Sequence, residues 1–249
     1  MRSIWFLLCV VTCALCPRLV RGDGMVFQLP PDGHWVRFDI EGTGSGPDED
    51  GGQSVNLKGT LTISSVGATD VQGERCRWIE IVLEARRDGQ AFTEVGKLLV
   101  PERHVGRDQR PLEHFVEAWH KHSMLNDGAP RQIKDLDHST GGHRNVLRTV
   151  LRHPFENPTV LPKAEVECKL GKLECEGIAA TVKEANEASN IVYESSFVIR
   201  LHDKSPCGVV SWQASNVVSR DGRTLQKTTV AMILSDCGTD AKSIMGEPK

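Results

Sequence analysis

Seven of the nine histidines, His104, His114, His120, His122, His138, His143 and His153, crowd into the middle of the chain. Imidazole is the commonest metal-binding side chain, so the first chemistry to weigh is a zinc site. The spacing argues against one. His120 and His122 stand two apart and fall on different faces of a helix, and no pair stands at i, i+4 around a Glu as in zinc peptidases. Glu117 and His120 share a helical face, with His138 or His143 in reach from a loop; solvated histidines are the plainer reading. The run Asp137-His138-Ser139-Thr140-Gly141-Gly142-His143 brings together the residue types of a hydrolase triad. A triad is a matter of geometry on a scaffold, and no G-x-S-x-G elbow is present, so a turn capped by Ser139 or Thr140 is preferred. Gly141-Gly142 lacks the following Lys-Ser/Thr of a phosphate cradle. No catalytic residue, metal or cofactor is therefore expected, and the chain reads as a non-enzyme.

The elements that position these residues are mostly strands. From His34 to Glu41, Val36, Phe38 and Ile40 alternate with Arg37, Asp39 and Glu41; Leu57, Gly59, Leu61 and Ile63 alternate with Lys58, Thr60 and Thr62; Ile79, Ile81 and Leu83 alternate with Trp78, Glu80 and Glu84. Period two is the mark of a half-buried strand. With Phe92 to Val100 these form a meander, joined in part at Asp88-Gly89, a strong hairpin signal. In the second half, a two-residue turn at Gly171-Lys172 puts Val166, Cys168, Leu170, Leu173 and Cys175 on one face and Lys169 across from Glu174. Ile191 to Leu201, Gly208 to Val217 and Thr228 to Leu234 continue the pattern, the last two meeting near Asp221-Gly222, for nine or ten strands in all. Trp35, Trp78 and Trp212 lie on strands, where an aromatic is most often core.

The middle departs from the pattern. Pro111 opens a predicted helix running to about His122, with Leu112, Phe115, Val116 and Trp119 at i, i+3, i+4 and i+7. Val146, Leu147, Val150 and Leu151 have helical spacing too, in a stretch short enough to be a strand. Trp78 lies on the face opposite Ile79 and Ile81, so the helix bearing Trp119 is its candidate cover.

At the start, Arg2 precedes the apolar run Ile4 to Cys16, which Pro17 ends. This is the layout of a secretory signal, too short to span a bilayer, with cleavage expected near Gly22. The predicted organisation is a signal over 1–22, a single β-rich domain over 23–237 with a helical insertion at about 108–152, and a polar tail over 238–249 without structure of its own. The expected product is exported to the periplasm or beyond and has no transmembrane segment. Net charge is −3 and the charged fraction 25%, giving no reason to expect a nucleic acid partner. Five of eight cysteines lie past the signal: Cys76, Cys168, Cys175, Cys207 and Cys237. An odd count leaves at least one thiol unpaired within the chain, and Cys168 with Cys175 is either a bridge across the predicted hairpin or two buried thiols.

An export signal, long antiparallel strands, an amphipathic helical insertion and more strands follow one another in an order that resembles the half-barrel periplasmic lipoprotein carriers. Cys76-Arg77-Trp78-Ile79-Glu80-Ile81 and Pro206-Cys207-Gly208-Val209-Val210-Ser211-Trp212 resemble segments of exported bacterial proteins. The resemblance is one of architecture, with no motif residue to transfer. It implies a mainly β fold, a large curved antiparallel sheet with a helical lid, against the alternative of a β-sandwich. It implies a hydrophobic ligand, a lipid or acyl chain, in the concave face, lined by Phe38, Ile40, Leu61, Ile63, Ile79 and Ile81 under a lid of Phe115 and Trp119. An envelope interaction module with a protein partner, and a metal-dependent hydrolase using the histidines, are the competing functions.

Overall fold

The computed structural model describes residues 24–46, 54–124, 128–134, 146–151, 155, 158–186 and 190–246. The expected export signal over 1–22, His138, His143, His153 and the Asp137–His143 run lie outside these residues. Alternating side chains and tight turns produce one antiparallel sheet: β1 Trp35–Ser45, β2 Val55–Val71, β3 Glu74–Arg87, β4 Gln90–Pro101, β5 Glu117–His122, β6 Arg131–Gln132, β7 Thr159–Cys168, β8 Gly171–Asn186, β9 Ile191–Leu201, β10 Val209–Arg220 and β11 Arg223–Gly238. Gln72-Gly73, Asp88-Gly89 and Asp221-Gly222 each take positive φ at both residues. That is the type I′ turn, whose twist suits a two-residue hairpin.

The strand order is β6-β5-β4-β3-β2-β1-β11-β10-β9-β8-β7. Every neighbour is a sequence neighbour except β1 and β11, which pair the two ends of the chain at the middle of the sheet. The free edges, β6 and β7, are consecutive in the chain and are joined by a long connection. That connection carries the helix α1, Val146–Val150. Register shifts in β1–β11, β2–β3, β9–β10, β10–β11 and β7–β8 supply the local bending of an open, curled sheet. The protein is thus mainly β, a large curved sheet not closed into a barrel, and the sandwich is excluded.

Three expectations need correction. The helix from Pro111 to His122 is absent: a single 3-10 turn, Pro111–Glu113, gives way to β5. The edge of β4 offers free backbone groups, Val116 N–H donates to Leu99 O, and Leu99 to Glu94 pair with Glu117 to His122. Pairing with an open edge outweighs a short apolar stripe. The β7–β8 turn lies at Lys169-Leu170, not Gly171-Lys172; Gly171 holds φ +94° directly after it, a conformation glycine adopts freely. Glu165 now faces Glu174, and each is relieved by a lysine, Lys172 at 3.2 Å and Lys163 at 3.6 Å. Finally, residues 239–246 are no loose tail but lie back against the sheet.

Candidate functional site: the covered inner face

Residues directly paired across strands share a face, so the ladder registers trace the inner surface. One row runs Cys237, Val36, Ile63, Ile81, Gly96, His120; the next runs Leu234, Phe38, Leu61, Leu83, Glu94, His122. On the other wing Ile178, Ile199, Trp212, Met232 and Ile40 form a third. The six expected lining residues, Phe38, Ile40, Leu61, Ile63, Ile79 and Ile81, are all buried in this one core.

What buries them differs from the expected lid. Phe115 is half-buried and packs against the core from the bend before β5. Trp119 is a correction: it pairs with Lys97, on the outer face, and its indole N–H donates to Glu117 Oε1 at 2.5 Å. The cover is α1 together with residues 25–29. Val146, Leu147, Val150 and Leu151 point into the core, the set whose helical spacing the sequence displayed. Leu147 sits against Gly96, where an added Cβ would lie 2.5 Å from its Cγ. Glycine at the centre of the inner face thus makes room for the helix. Met25 N–H donates to Val150 O at 2.6 Å, and Phe27 and Gln28 donate to Cys207 O at 2.8 and 3.1 Å. Residues 25–29 therefore stitch α1 to the loop between β9 and β10. Nothing in the periodicity pointed to this strap, which is too short to show one.

The polar groups of the inner face are few. Glu94 Oε1 accepts from His120 Nε2 at 2.8 Å and from Val146 N–H at 2.7 Å, fixing the first residue of α1. Arg77 closes one end, donating to Ser65 Oγ at 2.9 Å and to Glu102 Oε1 at 2.6 Å. On the far wing Phe155, Phe197 and Trp212 form an aromatic chain with centroids 5.1 and 5.8 Å apart. The Trp212 indole N–H is buried without an acceptor among the described residues. A buried donor left unpaired carries a desolvation penalty of about 1–3 kcal/mol. Beside the strap, Gly24, Val26, Gly106 and Pro111 line a recess holding about 20 Å³, room for about one water.

The described histidines do not converge. His104 and His114 stack on each other at 3.7 Å, His120 pairs with Glu94, and His122 stacks on Phe92 at 5.8 Å. Partial burial, then the neighbouring His114 and Arg103, hold His104 below its ordinary pKa. Glu117 and His120, expected on one helical face, stand on opposite faces of β5. Among the described residues no group of three or more His, Cys, Asp or Glu is placed to hold a metal. Cys168 pairs with Gly171 and Cys175 with Ala164, so the two are not opposite each other, and all five described cysteines are free thiols. Burial pushes the Cys207 thiol, beneath the strap, up to about 11.

Among the described residues, no helix is long and apolar enough to cross a membrane. No family model matches the chain, and no curated protein does. Solved structures that it resembles include the S-type phycobiliprotein lyase CpeS of Guillardia theta, at 8% identity over 81% of this chain and 88% of that one, TM-score 0.31. A candidate exported protein of YmcC-like fold from Bacteroides fragilis matches at 8% identity over 86% and 99%, TM-score 0.32. A candidate lipoprotein from Parabacteroides distasonis matches at 7% over 87% and 100%, TM-score 0.34. Likenesses this loose do not bear on activity.

Proposed function

We propose that this chain is an exported, non-catalytic carrier or sensor for a hydrophobic ligand, a lipid or acyl chain, taken up on the inner face of the sheet. The observation that supports it most is the nature of the cover. An apolar surface drawn from both wings is closed by a five-residue helix and a strap rather than by a second sheet. A ligand enters by displacing α1 and residues 25–29, whose side chains pack over the inner face. The orphan N–H of Trp212 supplies the polar handle: an ester or carboxylate oxygen of the ligand is the acceptor it lacks.

Native mass spectrometry of the protein from its own envelope tests this, with the denatured mass as reference. A mass excess that is lost on denaturation and extracts as lipid is the expected result, and Trp212→Phe is expected to retain at least tenfold less of it. A bare native mass, with no uptake on titration with fatty acids, would sink the carrier reading. The filled interior favours a second reading, an envelope interaction module with a protein partner, and that outcome would leave it standing.

A further inference from the structure

The outer face carries a polar site of its own. One ladder row crosses it: Gly238, Trp35, Ser64, Glu80, Lys97, Trp119, Gln132. The chain leaves β11 at Gly238 and doubles back along this same row. Trp35 Nε1 donates to Asp240 Oδ1 at 2.8 Å, and Ala241 N–H to Gly33 O at 2.8 Å. At Glu80 the contacts multiply. Ile244 N–H donates to Oε1 at 2.8 Å, Met245 N–H to Oε2 at 3.1 Å and Ser243 Oγ to Oε2 at 2.7 Å. Lys97 Nζ donates to Ser243 Oγ at 3.0 Å and Gly246 O at 2.6 Å, and lies 5.0 Å from the Trp78 ring centroid.

Glu80 and Lys97 point away from the core, yet only 1% and 3% of their surface is exposed, because the segment covers them. The segment itself buries little, since Ile244 is 60% exposed and Lys242 and Gly246 are exposed. Its hold is therefore directional: a carboxylate reading two consecutive backbone N–H groups and a hydroxyl, and an ammonium reading that hydroxyl and a carbonyl three residues on. Apart from Ser243, these contacts read main chain and not side chains. Charged groups on an outward face regain water when uncovered, so the ligand is replaceable, whereas an uncovered apolar core is not.

We propose that Glu80, Lys97 and Trp78 form a peptide-binding site, and that residues 239–246 are its intramolecular ligand. The site takes a polypeptide segment with Ser or Thr followed by two residues bearing free N–H groups. Such a ligand held by its own tether competes at millimolar effective concentration, so the site is closed to outside peptide until the tail detaches.

The test uses the full-length chain and a fluorescent peptide of residues Thr239 to Gly246, followed by anisotropy. The double substitution Ile244→Pro, Met245→Pro removes both N–H donors and vacates the site. The peptide is expected to bind this variant at least tenfold more tightly than the wild type. Adding Glu80→Gln, or replacing Ser243 by Ala in the peptide, is expected to weaken binding about tenfold or more. Equal binding to both chains, or no binding to a folded double-proline chain, would overturn the site. So would a double-proline chain that fails to fold, which would make the segment part of the core. Amide exchange in the wild type decides the point independently. Ile244 and Met245 are expected to exchange at least a hundredfold faster than Ile63 and Ile81, and exchange at one common rate would refute a detachable ligand.

Discussion

Strand β3 presents both faces of the molecule in alternate residues, and each is covered by a different kind of contact. Ile79 and Ile81 face inward against β2, β4 and α1; Trp78 and Glu80 face outward, Glu80 beneath residues 243–246 and Trp78 beside Lys97. The inner cover holds by area, with Leu147 seated on Gly96 and Met25, Val146 and Val150 closing over the rest. The outer cover holds by a handful of hydrogen bonds to two charged groups. Burial alone does not distinguish them, since Glu80 is as buried as Phe38. What distinguishes them is how much each loses when one residue changes.

Phe38→Ala is expected to give the largest loss, about 3–5 kcal/mol in chemical denaturation, because a fully buried aromatic leaves a cavity that strands on both sides keep open. A loss below about 1 kcal/mol would mean that the inner face is not the core. The second effect is set by pH. Cys207, buried under the strap, titrates at about 11 in the fold against an ordinary 9.0. Between those values the folded chain holds a proton that the unfolded chain has released, so stability is fully present below pH 9 and falls as pH rises toward 11. Two units correspond to roughly 3 kcal/mol. Cys207→Ala is expected to flatten that decline, while Cys76, Cys175 and Cys237, also raised by burial, keep part of it. An unchanged alkaline slope in the variant would place Cys207 in contact with solvent.

Leu147→Ala is expected to lose about 2 kcal/mol, the low end for such truncations, because a five-residue helix can settle into the space. The same change is expected to speed the uptake of fatty acid by loosening the lid. A loss of stability with no change in uptake rate would show that α1 does not gate the inner face.

How far these features could be read from sequence follows the same division. Alternation exposed the inner residues of β1 to β3 and of β9 to β11, because each apolar side chain carries its own signal every second position. The Asp-Gly turns announced themselves through the backbone geometry they favour. The spacing of Val146, Leu147, Val150 and Leu151 marked α1. Trp119 and Phe115 misled because Leu112, Phe115, Val116 and Trp119 fit a helical stripe by spacing alone, while the edge of β4 that competes for this segment is remote in sequence. The turn after Cys168 was misplaced by two residues because Gly171 is needed just past the turn rather than inside it. The strap and the tail left no trace. Each is held in large part through main-chain groups, which every residue possesses.

The smallest expected effect isolates one of the outer contacts. Trp35 packs its indole on Gly238, where an added Cβ would lie 2.7 Å from Nε1, and donates that N–H to Asp240. The donated bond holds the Asp240 carboxyl below its ordinary pKa. The depressed value implies a contribution present above the ordinary carboxylate range and lost as pH falls through the lower one. Asp240 lies open to solvent, so the contribution is small and salt-sensitive. Trp35→Phe keeps a ring over Gly238 but removes the donor. The denaturation midpoint is then expected to move little, whereas the Asp240 side-chain carbon signal, followed by NMR against pH, should titrate higher. A titration that stays where it was would mean that the chain does not turn back at Asp240 in solution, and the path laid along the outer row would begin without its first anchor.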